Sequence, residues 1–140
     1  SPELDNASVR LVLTSPPFLD VVDYAADNWL RCWFAGIEID TVQLDQHPKV
    51  EDWCRFMAES MREAARLLQP GGTLALEIGE VRAGTILMEE HITPLGTQAG
   101  LRAEEILINE QTFTKTAHTW GVTNYTRGTN SNRVVIFRKP

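Results

Sequence analysis

Val9-Arg10-Leu11-Val12-Leu13-Thr14-Ser15-Pro16-Pro17-Phe18 is an apolar run that stops in a rigid corner. The run predicts a strand over residues 9–13, buried on both faces. The corner has a mechanical consequence. Neither proline has an N–H, each fixes φ near −65°, and each drives the residue before it out of the helical region. The carbonyls around Ser15 and Pro16 are therefore held stiffly, and no helix absorbs them. Phe18 adds a flat apolar face beside them. Rigid acceptors next to a stacking face suit a planar group bearing an exocyclic amine, such as cytosine or adenine.

Outward from this corner, the chain alternates helical and strand patterns. Residues 24–34 predict a helix, with Asp23 as its N-cap or first-turn acid and Gly36 as its stop. Residues 50–68 place Val50, Trp53, Met57, Met61, Ala64 and Leu68 at spacings of three or four, the mark of one buried face. Pro70-Gly71-Gly72 ends that helix, and residues 73–78 predict a second buried strand. Residues 85–98 predict a helix interrupted at Pro94. A strand is expected at 106–108 within the segment 101–113, and another over 133–138. The Thr-, Asn- and Gly-rich stretch 114–132 predicts a long exposed loop. Trp29 and Trp33, four apart on one helix, are expected to pack in the core.

The chain has 140 residues, 43% of them hydrophobic, enough apolar material for one globular domain. Nothing in it has the length of a membrane span or the form of a secretory leader, so a cytoplasmic setting without membrane contact is expected. Cys32 and Cys54 are expected as buried thiols, and no metal site is predicted. The net charge is −6, but it is unevenly spread. Residues 1–114 hold all 19 acidic groups with 8 basic ones, whereas 115–140 hold Lys115, Arg127, Arg133, Arg138 and Lys139 and no acid. A polyanion-facing surface is therefore expected near the C-terminus, with Trp120, Tyr125, Arg127 and Arg133 as candidate nucleic-acid contacts.

Ser15-Pro16-Pro17-Phe18 behind a strand resembles the catalytic motif of the amino-methylating nucleic-acid methyltransferases, Asp/Asn/Ser-Pro-Pro-aromatic. The passage Leu67-Leu68-Gln69-Pro70-Gly71-Gly72-Thr73-Leu74 is similar to the approach to the fifth strand in class I S-adenosylmethionine-dependent methyltransferases. The resemblance covers nearly the whole chain. It implies an α/β, three-layer, Rossmann-like sheet of about four strands, equivalent to the fourth to seventh of that family, with the last strand antiparallel. It also implies that residues 1–140 form a single catalytic half-domain. The implied activity is methyl transfer from S-adenosylmethionine to the exocyclic amine of a DNA base, cytosine N4 or adenine N6. Ser15, Pro16, Pro17 and Phe18 would be the catalytic motif, with Thr14, Glu77 and Gly79 lining one side of the donor site.

The family's Gly-rich donor turn and its ribose-binding acid have no counterpart in these residues, nor does a target-recognition domain. The chain alone is therefore expected to bind S-adenosylmethionine weakly or not at all. A homodimer, or a complex with a separate N-terminal half, is expected to cover the first strand and the helix after it. The alternatives are a non-enzymatic, self-associating remnant, or a methyltransferase of RNA or of a protein amide.

Overall fold

A computed structural model describes residues 3–17, 19, 23–44, 47, 49–79, 85–110 and 131–140. The apolar run forms strand β1, Val9–Thr14, and Asp23 then starts helix α1, Tyr24–Phe34, by accepting the Ala26 N–H at 3.0 Å. A single 3-10 turn at Ile39–Thr41 precedes helix α2, Val50–Leu67. Its Trp53, Met57, Met61 and Ala65 are buried, as the three-and-four spacing demands. Strand β2, Leu68–Gly79, follows without a break, then helix α3, Met88–Gln98, strand β3, Arg102–Glu110, and strand β4, Ser131–Arg138.

The sheet has the order β1-β2-β4-β3. β1 and β2 are parallel, and β4 lies antiparallel between β2 and β3. β2 starts earlier than the Pro-Gly-Gly turn suggests. Val9 pairs with Leu68 but Leu11 with Thr73, so residues 69–72 bulge out of register while the strand continues. Two features allow the bulge. Gly71 has φ +74°, and a side chain at Gly72 would meet the Gln69 carbonyl at 2.8 Å.

The core lies on one face of this sheet. Leu74, Leu76 and Ile78 of β2 and Val135 and Phe137 of β4 point the same way and pack with Trp53, Met57, Met61, Met88 and Ile92 from α2 and α3. Gly96 lets α3 approach so closely that a Cβ there would overlap the Phe137 ring. The α/β class, the four strands and the antiparallel last strand match the sequence reading. Of the three expected layers, two are present among the described residues. The opposite face carries Leu11, Leu13, Ala75, Val134, Ile136 and Leu107, and no described helix packs on it. Leu13 is 72% exposed there.

β1 is an edge strand of the sheet, and its Leu11 and Leu13 are exposed, which corrects the expectation that both its faces are buried. Helix α1 also departs from its reading. It has no buried residue, and Trp29, Trp33 and Phe34 are 55%, 66% and 77% exposed. The helix is apolar enough to pack, but no described element lies against that side. Cys32 and Cys54 are half-buried rather than buried.

Candidate functional site

Thr14 pairs with Leu76, so the chain leaving β1 at Ser15 stands beside Glu77 at the C-terminal end of the parallel strand β2. Gly79, buried, lies two residues further along. The structure thus brings Thr14, Ser15, Pro16, Pro17, Glu77 and Gly79 to one end of the sheet, where ligands of open α/β sheets bind. Glu77 belongs to the open face, opposite to Leu76 and Ile78. β3 ends at Glu110 and β4 begins at Ser131, paired with each other at this same end. Phe18, Trp120, Tyr125 and Arg127 lie outside the described residues.

A cleft of about 310 Å³ opens between the Ser15-Pro16-Pro17 turn, the strand ends and α2. That is the lower end of the range for small-molecule sites, roughly 300–1,000 Å³, and suits one planar ring better than a dinucleotide-sized ligand. Val12, Met57, Met61, Ala64, Leu74 and Leu76 make its floor, Phe56 and Ser60 line the α2 side, and Thr14, Ser15, Pro16 and Pro17 form its rim. Among the described residues, no ionisable side chain lines it. The cleft therefore offers dispersion, a few polar rim groups and no carboxylate. Such a described lining supplies no charged partner for the ribose and amino-acid ends of S-adenosylmethionine.

The α2 residues of this cleft escaped the sequence reading. Phe56 and Ser60 carry no sequence signal for a site, and Trp53, outside the cleft lining, has the spacing of a packing residue, yet its Nε1 donates to the Pro17 carbonyl at 2.9 Å across 36 residues of sequence. The Ser60 hydroxyl donates to the Phe56 carbonyl at 3.2 Å. His47 lies against Phe56, ring centroids 5.2 Å apart and planes tilted by 36°.

Three cations of the basic C-terminal stretch, Arg133, Arg138 and Lys139, have partners within the fold. Arg133 is paired with Glu89 of α3 at 2.7 Å, both side chains 13% exposed. Arg138 bonds the Gly71 carbonyl at 3.0 Å and Glu104 at 3.3 Å. Lys139 Nζ donates to the carbonyls of Ala65 and Leu68 at 2.6 and 2.7 Å. These three cations are committed within the fold, because each meets an acid or the orphan carbonyls at the end of α2. Lys115 and Arg127 are outside the described residues. No cluster of metal-ligating side chains occurs among the described residues, and no described helix is long and apolar enough to cross a membrane.

Similarity to solved structures bears on the fold. The chain aligns over 99% of its length with a protein of Thermus thermophilus named as a DNA modification methylase, at TM-score 0.58 and 22% identity, covering 48% of that chain. The same protein has been crystallised with S-adenosyl-L-methionine. PvuII DNA methyltransferase, cytosine-N4-specific, aligns at TM-score 0.62 and 13% identity, with 99% of this chain and 45% of that one covered. The fold is a methyltransferase fold, in part. An S-adenosylmethionine-dependent methyltransferase of Methanosarcina mazei shares it at TM-score 0.50 and 12% identity, over 99% of this chain and 63% of that one. The chain thus spans about half the length of the first two methyltransferases it resembles. No protein-family model matches it, and neither does any curated protein.

Proposed function

We propose that this chain carries the catalytic half of an S-adenosylmethionine-dependent methyltransferase acting on the exocyclic amine of a DNA base, cytosine N4 or adenine N6. A second half completes the donor site. The observation that carries the reading is the position of Ser15-Pro16-Pro17 at the C-terminal end of β1, on the rim of a small apolar cleft. The chemistry needs little beyond positioning. The target base leaves the duplex at a cost of a few kcal/mol and lays its ring against apolar walls. The Ser15 side chain and the Pro16 carbonyl accept the two amine hydrogens, and Phe18 stacks on the ring. Held in this way, the nitrogen lone pair is aimed away from the acceptors, toward the methyl group that S-adenosylmethionine supplies when bound. Glu77 and Gly79 line one side of the donor site, and the glycine turn and ribose acid come from the second half.

The test is methylation of duplex DNA, with labelled S-adenosylmethionine, by the chain assembled with a donor-binding half. Ser15→Ala and Phe18→Ala should each lower turnover by about tenfold or more, the scale of one lost positioning contact in a transition state. Unchanged rates in both would remove the motif's assigned role. A second reading, a self-associating half-domain without catalysis, is favoured by one observation alone. The exposed Trp29, Trp33 and Phe34 of α1, together with Leu11 and Leu13 on the open sheet face, form apolar surface that a second copy could bury.

A further inference from the structure

We infer that Trp53 is the positioning residue of the Ser15-Pro16-Pro17 turn, an inference that rests on the catalytic reading of that turn. The two prolines leave the corner without N–H groups at positions 16 and 17, and among the described residues no backbone N–H bonds the carbonyls of Ser15, Pro16 or Pro17. Among the described residues, one side chain bonds one of these carbonyls. The Trp53 indole N–H donates to Pro17 at 2.9 Å, and the residue is 2% exposed.

A buried indole needs a partner for its N–H, because an unpaired buried donor gives up its hydrogen bond with water and gains none. The bond therefore works both ways: the turn satisfies Trp53, and Trp53 fixes the turn. Its placement makes the clamp stiff. Trp53 sits in the first turn of α2, its own N–H bonded to the Lys49 carbonyl at 3.1 Å, and its ring is wedged into the core with Met57 and Met61. Phe56, three residues on, lines the cleft from the same helix. One helical turn thus sets both the rim and one wall.

The clamp also sorts the acceptors. With the Pro17 carbonyl engaged by the indole, the Pro16 carbonyl and the Ser15 side chain are left to receive amine hydrogens. Trp53 touches no reacting atom in this scheme and acts through the turn. Replacing it by phenylalanine keeps an aromatic ring in the core and deletes the donor.

The test pairs Trp53→Phe with Ile92→Val, a mild core change on α3 remote from the turn. In heteronuclear NMR spectra of the chain itself, Trp53→Phe should shift and broaden the amide resonances of Thr14 and Ser15. Ile92→Val should leave them in place. Thr14 and Ser15 resonances that are unchanged in Trp53→Phe would overturn the inference, whether or not the chain takes part in catalysis. In the assembled enzyme, Trp53→Phe should lower kcat at least tenfold and leave KM for the methyl donor within twofold. A wild-type assembly without methylation defeats the catalytic reading, while the NMR comparison still decides the clamp. An active assembly in which kcat is unchanged defeats the clamp's role.

Discussion

Glu63 and Arg66 face each other across one turn near the end of α2, the guanidinium bonding both carboxylate oxygens at 2.7 Å. The same guanidinium reaches back to the Leu4 carbonyl at 3.1 Å and the Asn6 side chain at 2.5 Å, and the Arg66 carbonyl accepts the Ala7 N–H. The approach to β1 is thereby tied to the helix that follows it. Hydrogen bonding from Arg66 lowers the Glu63 carboxyl pKa to about 2, from an ordinary 4.5. A carboxyl depressed in the folded state stabilises above its ordinary value, and that contribution is lost as the pH falls from about 4.5 toward 2. The pair is open to water, so the contribution is small and salt-sensitive. Urea unfolding should show wild type more stable than Glu63→Gln at pH 6 in low salt, and the gap should close by pH 2. A gap that stays constant across this range would contradict the assignment.

At the scale of elements, α2 is held by a cap that does not come from its own neighbours in sequence. Lys139 closes the carbonyls of Ala65 and Leu68 from beyond the end of β4. Lys139→Met keeps most of the stem and deletes the donor, leaving two half-buried carbonyls to find water. The expected loss is about 1–2 kcal/mol in urea unfolding, the scale of charge-assisted bonds at a helix end. A loss below about 0.3 kcal/mol would show that water replaces the ammonium without cost. Much of this element structure was legible. The bounds of α1 and the Asp23 cap follow from local signals, and α2 differs from its reading by one residue at its end. The covering of an element was not legible. Trp29 and Trp33 have the spacing of a core stripe, but spacing cannot tell which other element lies against them. The candidate site divides in the same way. Ser15-Pro16-Pro17 is local chemistry and could be read directly, whereas Trp53 reaches it only through the packing of α2 on the sheet.

At the scale of the whole molecule, the uneven coverage of the sheet sets the solution behaviour. One face holds the core, while the other presents Leu11 and Leu13 to water beside the edge of β1, which no described strand pairs, and Leu107 at the opposite edge on β3. An uncovered strand edge next to apolar side chains is an adhesive surface. Light scattering at concentrations of about tens of micromolar, the range in which modest interfaces assemble, should report a mass above that of one chain. A monodisperse monomer would show that the surface is tolerated. Because the described lining of the cleft carries no carboxylate and the cleft is sized for one ring, calorimetry of the chain with S-adenosylmethionine should show at most about millimolar affinity. Low-micromolar binding would place a working donor site within these residues.

The position of β4 between β2 and β3 has a consequence for how the polypeptide comes off the ribosome. β3 pairs with β4 and with no other described strand, and β4 is the last of the four to be synthesised. Until residues 131–138 emerge, β1 and β2 can form a parallel pair, but β3 has no described partner. Its Ile106, Leu107 and Ile108 then form an unpaired, aggregation-prone ribbon. The sheet closes only when its last-made strand threads into the gap between two earlier ones, so assembly is expected to wait for translation of that segment.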